Sequence, residues 1–286
     1  MVLKFCDRSK LFLKVGALSR SMSDWIRKLF IDHADLFLRS MDARWSQTEE
    51  LVDGMIRLLN GFGIASGNLL DLCCGNGRIS VHMAKRGFKA VGVDISRAFL
   101  EDAKKKAKEH KVSDSITFLE GDVRRLKKIV GDNRGLFDVV VNAWTSIGYY
   151  SQEDDLRIFK QARELSREGA ILFVAETMHS DFLSVKFTPT SYAELDDVVM
   201  LENRKYDPMA SQMSTSWAFY RKHGQDLRFI NRVDFGHHIY SLYELASLLR
   251  NAGWETVASY GSLSTLQPMS PLASLNIVAK AGASNY

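Results

Sequence analysis

The chain has 286 residues, of which 46% are apolar and 25% charged, and its formal net charge is +4. That is enough sequence to bury a large core unaided, and the balance excludes disordered, collagen-like and disulfide-scaffold classes. No apolar run approaches the roughly 20 residues that cross a bilayer as a helix.

The first twenty residues carry Lys4, Arg8, Lys10, Lys14 and Arg20 against Asp7 alone, the pattern of a targeting segment, a basic arm or an ordinary surface helix. Apolar residues at helical spacing then predict two helices across 24–60, with a hinge near 41–46 and a glycine-rich end at 61–63. A regular alternation follows, with strands at 68–73, 90–94, 115–120, 137–142 and 170–176 and helices at 79–86, 96–110, 123–130 and 153–165. Strands separated by helices mean βαβ units, hence a doubly wound parallel sheet covered on both faces.

The pattern breaks between His179 and Gly236, where extended segments at 200–206, 213–222 and 227–235 and a hairpin turn at 222–225 predict a small antiparallel β insertion. A helix at 241–251 and strands at 254–260 and 275–280 then complete the main sheet. The three cysteines, two of them adjacent as Cys73 and Cys74, make no disulfide framework and lack metal-ligand spacing, so no metal and a reducing cytoplasm are expected. Basic residues alternate with acids over most of the chain, so nucleic acid is permitted as a partner but not favoured, and no membrane is expected.

The chemistry concentrates at Asp71-Leu72-Cys73-Cys74-Gly75-Asn76-Gly77-Arg78, where a buried strand ends in small residues that lead into a helix. Small residues let a ligand approach the backbone, and free N–H groups at a helix start face its polar parts. Asp94 ends the next strand about twenty residues on, where an acid accepts hydrogen bonds from the ribose hydroxyls of an adenosine. Three features separate the candidate adenosine cofactors. The third glycine of the dinucleotide fingerprint is Ser80 here and its first is Cys73. Asp71 would repel a diphosphate but not a donor carrying an amino group. Asp122, just after the third strand, can accept from an adenine amino group.

These residues resemble the first motifs of the class I S-adenosylmethionine-dependent methyltransferases, and the resemblance covers roughly 68–178. It implies a Rossmann-like, seven-stranded mixed sheet of order 3-2-1-4-5-7-6, as in the branch acting on small molecules. It also implies that Asp71 and the turn Cys73 to Gly77, with Gly75 and Asn76, hold the methionine part of the donor. Asp94 with Ile95 would take the ribose and Asp122 with Val123 the adenine, with Asn142 completing the set. Cys73 departs from the usual glycine, and its small side chain should be tolerated. The implied organisation is an N-terminal helical segment (1–63) over the cofactor site, a core of 64–178 and 237–286, and the insertion (179–236) as substrate cap or dimer surface.

Methyl transfer is an in-line displacement that asks the protein chiefly to align and desolvate the acceptor. The loop after the fourth strand offers Trp144, Tyr149 and Tyr150 to the substrate, with aromatic faces suited to a cation. Glu176, His179 and Tyr149 are candidate catalytic groups. His237 and His238, which re-enter the main sheet after the insertion, are further candidate bases, and His238 is also assigned to the substrate. The insertion supplies Tyr192, Arg204, Trp217, Arg228 and Arg232, of which strand alternation turns only half inward. The expected acceptor is a small molecule and the expected state a monomer or homodimer. The alternatives are an RNA methyltransferase, a binding subunit without turnover and, more remotely, a nicotinamide-dependent oxidoreductase.

Overall fold

The computed structural model describes residues 24–131 and 134–282; the basic stretch at the N-terminus lies outside them. Five strands, β1 (Asn68–Leu72), β2 (Lys89–Asp94), β3 (Ile116–Glu120), β4 (Phe137–Ala143) and β5 (Ser166–Thr177), pair in parallel in the order 3-2-1-4-5. Alternation along these strands feeds two cores. Leu70, Val140 and Leu172 face one side of the sheet, whereas Leu69, Val139, Val141 and Ile171 face the other.

A π-helical turn at Lys28–Asp32, α1 (Ala34–Asp42) and α2 (Thr48–Gly61) precede β1, and between the strands run α3 (Arg78–Ala84), α4 (Arg97–Glu109), α5 (Leu126–Val130) and α6 (Gln152–Leu165). Two of the longer helices begin where hydroxyl side chains satisfy free N–H groups. Ser96 accepts from Phe99 N at α4 and Ser151 from Asp154 N at α6. No helix among the described residues is long and apolar enough to cross a membrane.

The chain then leaves the main sheet through α7 (Ser180–Val185) and forms a separate antiparallel meander of β6 (Thr190–Leu195), β7 (Val198–Asp207), β8 (Gln212–His223) and β9 (Asp226–His238). Three of these strands are expected from sequence; β6 is not, because only Leu195 of its six residues is buried and its inward face is otherwise the small Ser191 and Ala193. The expected hairpin lies between His223 and Asp226, which pair across a turn with Gly224 at φ +61°. The inner face of the meander packs Val198, Met200, Phe219 and Val233 against Trp25, Leu29, Phe30 and Phe37 of the N-terminal segment.

After α8 (Leu242–Asn251), closed by a Ser241–Glu244 capping box, the chain returns through β10 (Trp254–Ser262), β11 (Gln267–Pro268) and β12 (Leu275–Ala281). β12 pairs antiparallel with β5, and β10 with β12. The main sheet is therefore a Rossmann-like α/β sheet that follows the expected strand order, with one addition. Two-residue β11 makes an eighth, edge strand, where Pro268 lacks an N–H that a central strand would need.

Candidate active site

The turn after β1 is built for close approach. Gly75 has φ +55°, and a Cβ there would sit 2.6 Å from Met41 Sδ of α1; a Cβ on Gly92 would sit 2.8 Å from Cys74 Sγ. Gly77, at φ +74°, caps the start of α3. Cys73 also adopts a left-handed conformation, φ +56°, so it carries strain that glycine would avoid.

Three carboxylates border this turn. Asp71 Oδ2 accepts from Ser80 Oγ (2.7 Å) and Ser80 N (3.2 Å), which ties β1 to the first turn of α3. Asp94 accepts from Gly75 N (2.9 Å) and Ser96 N (2.8 Å), fixing the turn against the end of β2. Burial pushes both carboxyls up to about 6. At Asp122 burial works in the same direction, but hydrogen bonds from Arg124, including Nη2 at 2.6 Å, prevail and hold it below the usual range.

Asp71, Cys73, Gly75, Asn76, Asp94, Ile95, Asp122 and Val123 line one narrow cleft of about 80 Å³ at the carboxyl ends of β1 to β3. Gly77 and Asn142 do not line it; Asn142 is buried with Oδ1 unpartnered. Ile26, Phe30, Phe37 and Met41 form its opposite side, and Trp144, Tyr149 and Tyr150 close its end. Tyr150 lies under the Arg124 guanidinium, 4.2 Å from its ring centroid.

A second cavity, of about 490 Å³, adjoins the first. Phe37, Trp144 and Tyr149 line both and form the wall between them. The ring of Phe37 stacks between Trp144 (5.3 Å) and Trp217 (5.8 Å). Trp144 and Thr145 both have left-handed backbone, φ +59° and +57°, and are held by Trp144 N donating to Ala175 O (2.9 Å) and Thr145 Oγ1 accepting from Met178 N (3.0 Å). Strain of this kind gathers at functional sites. The meander contributes Met200, Glu202, Arg204, Trp217, Phe235 and His237, and the segment after α1 contributes Arg44.

The candidate catalytic groups separate on this geometry. Tyr149 lines both cavities, and burial lifts its phenol above the ordinary range, so it stays protonated and serves as a donor. Glu176, at the end of β5 with φ +52°, faces neither cavity and is bound by Arg78 Nη2 (2.6 Å), with Arg44 Nη1 at 3.8 Å. His179 is fully buried elsewhere, with Nε2 at 2.8 Å from Ala273 O and Nδ1 at 3.4 Å from Asp181. His238 turns to Gln152 (3.1 Å) and the ring of Tyr240 (4.4 Å), away from both cavities. Its neighbour His237 lines the second cavity instead. Phe235 and His237 share one face of β9, a parity readable from sequence only once the inward face is known. Arg204 and Trp217 also line that cavity, while Tyr192, Arg228 and Arg232 do not. Trp45 stacks on His110 away from the cleft, whereas Arg44 lies over Trp144 at 4.7 Å.

Residues 69–169 match the family model described as a methyltransferase domain. A putative methyltransferase of Bacillus subtilis, YqeM, is 34% identical over 134 residues, which is 46% of this chain and 50% of that protein. The chain thus matches about half the length, or less, of its curated relatives. Among solved structures, the CcbJ methyltransferase of Streptomyces caelestis has a TM-score of 0.68 at 22% identity, covering 82% of this chain and 90% of that one. An S-adenosylmethionine-dependent methyltransferase of Clostridium acetobutylicum has a TM-score of 0.68 at 16% identity, covering 82% and 92%. At such identities the likeness is one of fold. Residues 69–169 thus match a methyltransferase domain, and the fold around them is the one found in solved S-adenosylmethionine-dependent methyltransferases.

Proposed function

We propose that the chain transfers a methyl group from S-adenosylmethionine, held in the first cleft, to a small molecule held in the second cavity. The observation that carries this reading is the junction of the two cavities at the Phe37, Trp144 and Tyr149 wall. A donor and an acceptor on either side of one aromatic wall can be brought into line for displacement. The cleft suits the donor: glycines clear its floor, and three buried or half-buried carboxylates favour a cationic ligand over a diphosphate. In this reading Asp94 accepts from the ribose, Asp122 with Val123 borders the adenine, and Asp71 with the Cys73 to Gly77 turn borders the amino-acid end. When bound, the donor supplies a sulfonium methyl whose departure needs no metal or covalent nucleophile. The segment before β1 and the insertion at 179–236 act as two covers over the core, the first bordering both cavities and the second the larger one.

The test is calorimetric titration with S-adenosylmethionine, S-adenosylhomocysteine and NAD, for wild type and Asp94→Ala. Binding of both sulfur compounds that weakens about 100-fold in the variant supports the reading, an effect the size of losing hydrogen bonds to a charged acceptor. Binding of NAD alone sinks it. Transfer of labelled methyl to total RNA but to no small molecule would change the acceptor class, and donor binding without turnover on either would leave a binding subunit.

A further inference from the structure

An acceptor with a hydroxyl must lose a proton. Of the candidate bases, Glu176 is bound by Arg78, His179 by Ala273 and His238 by Gln152, and burial keeps the Tyr149 phenol protonated. His237 is not engaged. It lies opposite Met213 on the inner face of the meander, 7% exposed, with its ring stacked on Phe235 (5.8 Å) and edge-on to Tyr149 (6.0 Å). Its Nδ1 has no hydrogen-bond partner.

Three more buried polar atoms in the same cavity wall are also unpartnered, Ser40 Oγ, Arg204 Nε and Trp217 Nε1. Buried polar atoms are nearly always paired, so four in one wall mark a place where a ligand supplies the partners. Their needs differ. Two N–H groups ask for acceptor oxygens, and an imidazole ring nitrogen can accept from a hydroxyl. Glu202 is the one carboxylate among the described residues lining this cavity, and it is already tied to Arg204 at 3.2 Å. With Arg44 nearby as well, a cationic ammonium acceptor would meet positive charge and no free counter-ion. The aromatic faces of Phe37, Trp217 and Phe235 favour a flat ring.

We infer that His237 is a catalytic residue that takes the proton of a hydroxyl acceptor, and that this acceptor is a planar hydroxylated ring bearing a further oxygen for Trp217 and Arg204; the inference rests on the methyl-transfer reading above. In the step, the acceptor oxygen forms a bond to the methyl carbon, and the carbon–sulfur bond breaks with its electron pair passing to sulfur. The hydroxyl proton passes to the His237 imidazole and later to solvent. One positive charge is lost at sulfur as one appears at His237, so the net charge of the buried site does not change. Burial, with His238 beside it, pulls the His237 imidazole down to about 4, which keeps it neutral and able to accept at pH 7. The titratable and charged groups around it are His238 on its own strand, Tyr149 from the loop after β4, Arg44 after α1, and Glu202 with Arg204 on β7.

The probe is 4-nitrophenol, which combines ring, hydroxyl and distal oxygens and loses its phenolate colour on methylation. The full chain, loaded with S-adenosylhomocysteine, is titrated with it by calorimetry; the same chain with S-adenosylmethionine is followed by absorbance across pH. Below the ionisation of the phenol, His237→Gln is expected to lower kcat by about 100-fold, the low end of what general-base catalysis contributes. Above it, where the acceptor is already an anion, the loss should largely vanish. Equal losses at both extremes, or none at either, overturn the inference. So do failure of 4-nitrophenol to bind the loaded wild type, binding without transfer, or faster transfer to 4-nitroaniline. Unchanged S-adenosylhomocysteine affinity certifies the folding of the variant. If the variant does not fold, the wild-type His237 ring resonances decide: they shift on adding 4-nitrophenol if the inference holds and stay fixed if it does not. Failure of wild type to bind S-adenosylhomocysteine removes the underlying methyl-transfer reading instead.

Discussion

The two cavities that meet at Trp144 and Tyr149 are made in opposite ways. The carboxylates and glycines of the first come from the turns that end β1, β2 and β3, all between Asp71 and Val123. The second gathers side chains from α1, the loop after β4 and all four strands of the meander, separated by as much as two hundred positions from Phe37 to His237. A site made of turns inherits its geometry from local backbone rules. A site made of facing elements exists only when those elements dock. The first therefore suits a role common to many proteins of the fold and the second a role particular to this chain, because specificity resides in appended elements.

The comparison can be broken most severely where the two regions are clamped together. Gly148 has φ +85°, accepts from His238 N (2.8 Å) and donates to Asp155 (3.1 Å), which also accepts from Tyr240 Oη (2.8 Å). A Cβ at Gly148 would lie 2.1 Å from His238 O. Gly148→Ala should cost about 3 kcal/mol in urea denaturation, since both strain and overlap oppose it. A variant as stable as wild type would mean that loop and meander are not locked.

A second expectation belongs to the donor cleft alone. Asp71 and Asp94 are raised to about 6 because burial penalises their charge. A cationic ligand, or ribose hydroxyls donating to Asp94, favour the ionised forms and pull those values down. Affinity for S-adenosylhomocysteine should accordingly be full above about pH 6 and fall as pH drops through it, with protons released on binding there. Calorimetry in buffers of different ionisation enthalpy measures both, and a flat profile from pH 5 to 8 would remove these carboxylates from the binding step. For folding the sign is reversed: carboxyls raised above 3.8 stabilise the fold below that value, and the contribution is lost as pH rises through about 6.

The smallest effect concerns Cys73. Its left-handed backbone, φ +56°, costs a cysteine more than a glycine. Cys73→Gly should raise stability by about 1 kcal/mol or less, the relief of strain being partly offset by the greater freedom of glycine in the unfolded chain. Burial lifts the Cys73 thiol well above its usual range, so no thiolate chemistry is lost with it. Loss of stability would mean that sulfur packing outweighs backbone strain.

The residues of β1 to β5 announced their own arrangement because each apolar strand is followed by a helix whose face must cover it, and right-handed crossovers leave few orders open. β11 and β6 escaped because neither has an apolar pattern of its own; each forms by pairing with a neighbour. Glu176 and His179 sat at the right strand end in sequence, yet an arginine claimed one and a backbone carbonyl the other. His237 and His238 stand together in the sequence as candidate bases, because parity along a strand has no sign until one face is buried. The alternation and the turn residues of this chain thus determine a Rossmann-like sheet and the small-residue turn and carboxylates that line its first cleft, since both follow from short-range backbone geometry. Which side of the meander faces the N-terminal helices, and hence which histidine, arginine and tryptophan surround the second cavity, is decided by the docking of surfaces remote in sequence, and only the tertiary structure holds that information.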